Sequence, residues 1–427
     1  MKSARHYPAA IFAILVSLFT ATAALSDEAW SRFRGNNASG VIDNTRIPLT
    51  WSDTENVAWK TELPGHGSSS PVVRNGRVFL TAFSGYGLDA NAPGEKSDLR
   101  LHTLCIDYET GKVLWDESIE ASPSEQKATT RIVDHGYASP TPTVDDQAVY
   151  AAFGPSGLVA YDLNGKRLWQ RSIGNKTKGF GSASSPILYK NLVIINASIE
   201  DGAAYGIDKA TGEVVWRTPD IRDAWTTPTL VVLPDGSTEL VINQKGWILG
   251  FVPETGKELW RCKGIEDYVV PCVVVDGDTL YCSGGRQNRT LAVRAGGRGD
   301  VTKSHLVWDV VAGANVTSPL IHKGYLYWSH DKSMALCIRA SDGEEMFRER
   351  LATQGRVYAS VVLAGDRLLM TTRDAGVIVL AAEPAYRELG INRLGSESEN
   401  FNATPAIVGN TLLIRSDRFL CHIAEKK

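Results

Sequence analysis

Short apolar runs alternate with polar turns along most of the chain. Residues 70–80, with the sequence SPVVRNGRVFL, open on Ser-Pro, run through an apolar strand, turn at Asn-Gly and return as a second apolar strand. This alternation is typical of β-hairpins. Proline is tolerated at such a position because it begins the strand and donates no ladder hydrogen bond. The pattern therefore predicts an all-β fold.

A second pattern, a polar turn leading into a strand that ends in tryptophan, alternates with the first. Residues 106–115 (IDYETGKVLW) and 207–216 (IDKATGEVVW) show it most fully. The aspartate can bond the backbone of its own turn, and the glycine supplies a positive φ. The tryptophan then stands at a fixed offset, where it can wedge between neighbouring sheets. One copy of each pattern makes two hairpins, or four strands.

The strand starts recur with a period of about 42 residues. The eight starts are Pro71, Pro142, Pro186, Pro228, Pro271, Pro319, Ser360 and Pro405. Two hairpins in this period are typical of a four-stranded propeller blade. A strand at residues 57–60 precedes every start, and the last unit lacks a fourth strand. We therefore predict an eight-bladed β-propeller of four-stranded antiparallel blades, closed by the N-terminal strand.

These repeats resemble the PQQ-like repeat family, whose tryptophan-docking turn has the form Asp-x-x-Thr-Gly-x-x-x-Trp. Residues 107–115 and 208–216 match it, and residues 30–35 (WSRFRG) are similar to the opening of secreted bacterial members. The resemblance covers residues 30–424 and implies the propeller. In one branch, the quinoprotein dehydrogenases, it implies pyrroloquinoline quinone and Ca²⁺ over the axis. In another, similar to the outer-membrane assembly factor BamB, it implies non-catalytic protein binding.

The start of the chain and its charge bear on location and partners. Positive residues, an apolar run at residues 9–19 and an A-x-A site predict a signal peptide over residues 1–23, with an uncleaved anchor as the alternative. An N-terminal extension (24–56) and the propeller (57–427) would follow. We expect a periplasmic or extracellular monomer with no transmembrane segment after cleavage. The net charge of −3 offers no basic excess for nucleic acid.

The family's two branches predict different functions. The sequence has no adjacent cysteines, no CxxCH motif and no calcium set that can be matched to the quinoprotein branch. We therefore expect no cofactor, no catalytic residue and no metal ligand. The leading hypothesis is a scaffold that binds a protein or peptide partner at the axial funnel. The alternatives are a polysaccharide- or small-ligand-binding propeller and a quinone-dependent dehydrogenase.

The loops that lead into the innermost strands should face the axial funnel, and several carry an aromatic residue. The candidate ligand-binding residues at the funnel mouth are His66, Arg131, His135, Tyr137, Trp225, Tyr268, Asn315, Arg356, Tyr358 and Phe401. Aromatic anchors with a few polar orienting groups are what ligand pockets use. The alternative is that the aromatic residues only pack between blades.

Cys272 and Cys282 lie in one predicted hairpin with its turn at residues 276–278. Each is five residues from Gly277, so they face each other if the loop has three residues. Export would permit oxidation, and we expect a disulfide bond. A two-residue loop would shift the register and separate the two side chains. They would then be small packed residues.

Overall fold

The computed structural model describes residues 29–127, 135–330, 332–353, 355–374, 376–395 and 399–425. These residues form eight antiparallel sheets with four principal strands each, which confirms the eight-bladed β-propeller. Helix is scarce, and the described helical elements are Thr302–His305, Lys96–Asp98, Glu125–Lys127 and Gly154–Ser156. No helix within the described ranges is long and apolar enough to cross a membrane.

The blades are numbered I to VIII in the order of their innermost strands. Blade I consists of Val72–Arg74, Arg77–Ser84, Arg100–Asp107 and Val113–Glu120. Blade II consists of Thr143–Val144, Ala148–Ala152, Leu158–Asp162 and Arg167–Arg171. Blade III consists of Ile187–Tyr189, Leu192–Ala197, Ala203–Asp208 and Val214–Pro219. Blade IV consists of Thr229–Val232, Thr238–Gln244, Trp247–Phe251 and Glu258–Lys263, with Gly299–Asp300 added at its outer edge.

The second half repeats this plan. Blade V consists of Val274–Asp276, Thr279–Gly284, Arg289–Arg294 and Leu306–Val310. Blade VI consists of Leu320–His322, Tyr325–His330, Met334–Arg339 and Glu345–Arg350. Blade VII consists of Val362–Ala364, Arg367–Thr372, Gly376–Ala381 and Glu388–Asn392. Blade VIII consists of Ala406–Val408, Thr411–Arg415, Phe419–Ile423 and Val57–Glu62.

The N-terminal strand closes the ring, as the sequence predicts. Val57–Glu62 pairs antiparallel with Phe419–Ile423, so the outermost strand of blade VIII comes from the beginning of the chain. The extension before it is also ordered. Its Val41–Ile42 pairs in parallel with the innermost strand of blade VII. Both ends of the described chain are therefore held in sheets.

The tryptophans of five closing strands connect their blade to the next one. Their indole N–H groups donate hydrogen bonds of 2.9–3.0 Å to turn carbonyls of the following blade. The pairs are Trp59–Tyr108, Trp115–Leu163, Trp169–Lys209, Trp216–Pro253 and Trp308–Ala340. The sequence predicts buried indoles, and Trp216 and Trp260 are buried while Trp115 and Trp169 are half-buried. Trp260 differs, because it donates to Glu239 of its own blade at 2.7 Å.

The turn glycines make room for these indoles. Gly111 has φ of +72°, which favours glycine, and a Cβ placed on it would lie 2.6 Å from the Trp59 ring. Asp107 accepts hydrogen bonds from the backbone N–H and the hydroxyl of Thr110 in the same turn. The Asp-x-x-Thr-Gly pattern thus has a local physical cause. The aspartate and threonine hydrogen-bond within the turn, and the glycine lets the indole of the preceding blade pack directly on the turn backbone.

The predicted bond between Cys272 and Cys282 does not form, and both are free thiols. Asp276 pairs with Thr279, so the hairpin has the two-residue loop Gly277–Asp278. Continuing that register places Cys282 across from Val273. Neighbouring residues of a strand point to opposite faces, so the two sulfurs are directed apart.

Candidate functional site

A cavity of about 420 Å³ lies on the propeller axis, and we call it the axial pocket. Every blade contributes the residues just before its innermost strand, as the sequence predicts for a funnel. Among the candidates, six line the pocket: His135, Trp225, Tyr268, Asn315, Arg356 and Tyr358. A ligand-binding role for them remains a prediction.

A ring of hydroxyl side chains encircles the pocket. The eight equivalent positions are Ser70, Thr141, Ser185, Thr227, Cys272, Ser318, Ser360 and Thr404. At six of them the backbone N–H donates a hydrogen bond of 2.9–3.1 Å to the hydroxyl of the next blade. The hydroxyl residue of the Ser/Thr-Pro signature therefore links neighbouring blades by hydrogen bonds. Blade V alone supplies a thiol, Cys272.

Three aromatic side chains form one wall of the pocket. Phe180, Trp225 and Tyr268 contact one another with ring centroids 5.9–6.0 Å apart, two of the pairs edge to face. The Trp225 indole N–H donates to the carbonyl of Gly181 at 2.7 Å, and Asn315 Nδ2 donates to the Tyr268 hydroxyl at 2.8 Å. These bonds fix the ring orientations, so the wall is preformed.

The polar part of the lining is uncharged or basic. The ring nitrogens of His135 contact Ser139 Oγ and the carbonyl of Phe180. Arg356 Nη1 donates to the Tyr358 hydroxyl at 3.2 Å. No aspartate or glutamate is among the described residues that line the pocket. A ligand there meets hydroxyl groups, an imidazole and a guanidinium, but no carboxylate.

The N-terminal segment 30–47, which we call the axial segment, closes one end of the pocket. The axial segment forms hydrogen bonds with six blades. The pairs are Trp30 with Val73, Ser31 with Val144, Arg32 with Pro228, Arg34 with Pro319, Gly40 with Leu363 and Thr45 with Gly409. Because these blades surround the axis, the segment crosses it. Phe33 belongs to the pocket lining. The pocket is thus a one-ended recess with Phe33 as its floor.

Two buried arginines flank Phe33. Arg34 Nη2 donates to the carbonyls of Ser39, at 3.0 Å, and Pro319, while its Nε and Nη1 have no partner. Arg32 Nη2 donates to the carbonyl of Pro228 at 3.4 Å, and its Nε has no partner. Burial lowers the pKa of each guanidinium to about 10, and the nearby Cys272 partly offsets this lowering.

The remaining candidates lie elsewhere. His66 packs edge to face on Phe83 instead of lining the pocket, and burial lowers its pKa. Tyr137 also packs on Phe83, and burial raises its pKa to about 12. Phe401 is 5% exposed and belongs to the core between blades. For these three, packing is the observed role. Arg131 lies outside the described residues.

Sequence reasoning missed the hydroxyl ring, Phe33 and the two buried arginines. The ring had a signal, because its members occupy one position of the repeated Ser/Thr-Pro start. Phe33 and Arg34 fall in the WSRFRG opening that carries the family resemblance. The motif alone does not indicate that the axial segment crosses the axis, because the hydrogen-bond partners of the segment lie up to 364 residues away in the sequence.

The pocket does not fit the calcium–quinone centre that the dehydrogenase branch implies. Ca²⁺ prefers carboxylate and carbonyl oxygens. The described lining offers no carboxylate. In the described part of the chain, no group of three or more His, Cys, Asp or Glu could hold a metal ion.

Known structures share this fold. Quinohemoprotein alcohol dehydrogenase from Comamonas testosteroni superposes with a TM-score of 0.67 at 11% identity, over 94% of this chain and 81% of that one. BamB from Moraxella catarrhalis gives 0.52 at 15% identity, over 78% and 94%. At these identities the similarity shows the fold alone.

Sequence comparison identifies the family. Tetrathionate hydrolase of Acidithiobacillus ferrooxidans is 20% identical over 354 residues, covering 75% of this chain and 66% of that relative, just under two thirds of its length. A family model described as outer membrane protein assembly factor BamB matches residues 48–179, 97–297, 179–345 and 244–418. These matches span most of the chain and confirm the predicted resemblance. The protein therefore belongs to the family of the outer membrane protein assembly factor BamB.

Proposed function

We propose that this protein is an exported, non-catalytic propeller that binds a compact ligand in the axial pocket. The carrying observation is the recess itself, a cavity of about 420 Å³ with a preformed aromatic wall and a closed floor. Ligand pockets commonly enclose roughly 300–1,000 Å³ and combine apolar walls with a few polar groups. The described lining has this composition.

The closed floor narrows the leading hypothesis of a protein or peptide partner. Phe33 and its neighbours block the axis, so an extended peptide cannot thread through the ring. A protein partner could use the pocket only by inserting a chain end or a single side chain. The small-ligand alternative therefore fits the geometry better than the scaffold hypothesis. A periplasmic or extracellular location is part of the proposal and rests on the predicted signal peptide.

The test is to fill the pocket and measure ligand binding. Ala183 lines the pocket, and Ala183→Phe would occupy part of its volume. Ala210, exposed in a turn of blade III, provides the same substitution away from the axis. Native mass spectrometry with a panel of small organic acids, sugars and aromatic compounds should find a ligand that binds the wild type and Ala210→Phe but not Ala183→Phe. Binding unaffected by Ala183→Phe would place the ligand elsewhere and overturn the proposal.

A further inference from the structure

Cys272 differs from every other described cysteine in its surroundings. Cys272 is buried with 7% of its surface exposed, and the other five cysteines, Cys105, Cys262, Cys282, Cys337 and Cys421, are buried and do not line the axial pocket. Cys272 lines the pocket, at the position where the other seven blades carry serine or threonine. Its backbone N–H donates to Ser318 Oγ at 2.9 Å, which fixes its place in the ring. A small reagent entering the pocket can reach this thiol.

The two buried guanidiniums lie on either side of this thiol. Arg32 is bonded to Pro228 of blade IV and Arg34 to Pro319 of blade VI, whereas Cys272 begins blade V between them. Both guanidiniums lie close enough to Cys272 to interact with it electrostatically. Cys272, which lines the pocket, thus lies between two buried cations that flank Phe33 behind the pocket lining.

Neither arginine has a counter-ion in the described part of the chain. No carboxylate there has an electrostatic influence on Arg32 or Arg34, and Arg34 is 0% exposed. The Nε groups of both arginines and Nη1 of Arg34 are buried donors without acceptors. Burying an unpaired charge is costly. An anion bound in the pocket close to the two guanidiniums would offset that cost.

We propose that the floor of the axial pocket is an anion-selective thiol site, in which Arg32 and Arg34 attract a small anionic ligand to the Cys272 sulfur. This inference rests on the proposed ligand-binding function and names the charge of its ligand. The absence of carboxylates from the described lining removes the repulsion that an entering anion would otherwise meet. Arg356 at the wall adds a further positive charge.

Two alkylating reagents of nearly equal size test the site. Iodoacetate is an anion and iodoacetamide is neutral, and both react in the same way. The thiol gives its proton to solvent, the sulfur forms a bond to the methylene carbon, and the carbon–iodine bond breaks to release iodide. Peptide mass spectrometry gives the rate at Cys272 with each reagent. The unfolded protein supplies the iodoacetate-to-iodoacetamide ratio of an unassisted thiol.

We expect the native ratio at Cys272 to exceed the unfolded ratio by about tenfold, which needs only about 1.4 kcal/mol of preference for the anion. Arg32→Gln should bring the ratio towards the unfolded value. Arg348→Gln, which removes an exposed arginine from the outer strand of blade VI, should leave it unchanged. Sulfate should slow iodoacetate labelling of the wild type more than chloride at equal ionic strength, which tests the site without any substitution.

Two results would overturn the inference: no labelling of native Cys272, or a native ratio equal to the unfolded ratio. These outcomes are separate from failure of the proposed function. If a neutral ligand binds the wild type but not Ala183→Phe, the proposed ligand-binding function is supported. If Cys272 is labelled without charge preference in the same protein, only the inferred anion site is excluded. Labelling of Cys272 by both reagents also reports access to the pocket floor independently of any ligand.

Discussion

The indole N–H of Trp216 in blade III donates a hydrogen bond of 3.0 Å to the carbonyl of Pro253 in blade IV. The same residue packs on Gly256, which has φ of +66° and where an added Cβ would lie 2.5 Å from the indole ring. One residue thus combines apolar burial with a directional bond between two sheets. Equivalent bonds occur at five boundaries between neighbouring blades, so the blades that they join stabilise one another.

Trp216→Ala should lower the free energy of unfolding by about 3–5 kcal/mol, as for other buried large aromatic residues. Trp216→Phe keeps most of the apolar contact and loses the hydrogen bond, so a smaller loss of about 1 kcal/mol is expected. Chemical denaturation monitored by circular dichroism measures both. Equal losses for the two variants would show that packing with Gly256 is not the main contribution.

The free state of the cysteines gives a second prediction. Denatured but unreduced protein should show six titratable thiols, because all six cysteines are free in the structure. The two-residue turn at Gly277–Asp278 keeps Cys272 and Cys282 out of register. A count of four would mean that the hairpin rearranges and forms the bond that the sequence predicts.

Two buried carboxyl groups, Glu125 and Glu200, should make stability depend on pH. Burial raises the pKa of Glu125 to about 8, with a further contribution from Glu200, and burial raises that of Glu200 to about 7. Both groups hold their protons more tightly in the folded chain than in the unfolded chain, where their ordinary value is 4.5. The stabilising contribution of each protonated carboxyl group is therefore fully present below pH 4.5. It is lost as the pH rises through the folded pKa, about 7 for Glu200 and about 8 for Glu125.

The expected slope is about 1.4 kcal/mol per pH unit for each group within its window. Thermal unfolding of the wild type between pH 5 and pH 9 measures this dependence. We expect the midpoint temperature of unfolding to fall as the pH rises towards the folded pKa values of the two groups. The variant with Glu125→Gln and Glu200→Gln should show a flatter profile. Glu345→Gln, on an exposed outer strand, should retain the wild-type profile. A wild-type profile equally flat would show that neither group keeps a raised pKa.

Much of the fold could be predicted because its signals are local and repeated. Proline at the strand starts and the Thr-Gly turn before tryptophan each act within a few residues, and the eight strand starts, seven of them with proline, fix the period. The cysteine hairpin shows the limit of such reasoning. Its pairing depends on whether the loop has two or three residues, and the sequence Asp-Gly-Asp permits both.

The site was predictable only in part, for a different reason. Residues such as Trp225 and Tyr268 precede innermost strands and line the pocket, as their position indicates. Tyr137 and Phe401 occupy similar positions but turn into the core, because Phe83 and the blade VIII strands offer them apolar contacts. The axial segment occurs once in the chain, so no repeat reveals its course. Its contacts with six blades depend on the closed ring.

Reconstitution with pyrroloquinoline quinone and Ca²⁺ provides the last prediction. We expect no dye-linked oxidation of alcohols or sugars, because the described pocket lining contains no carboxylate to hold Ca²⁺ beside a quinone. An established quinoprotein dehydrogenase, treated in parallel as the apoprotein, controls for the quality of the cofactor and dye. Calcium-dependent dye reduction by this protein that is lost in Ala183→Phe would contradict the non-catalytic proposal. Tight stoichiometric binding of the quinone in the axial pocket would also contradict it and would favour the dehydrogenase alternative.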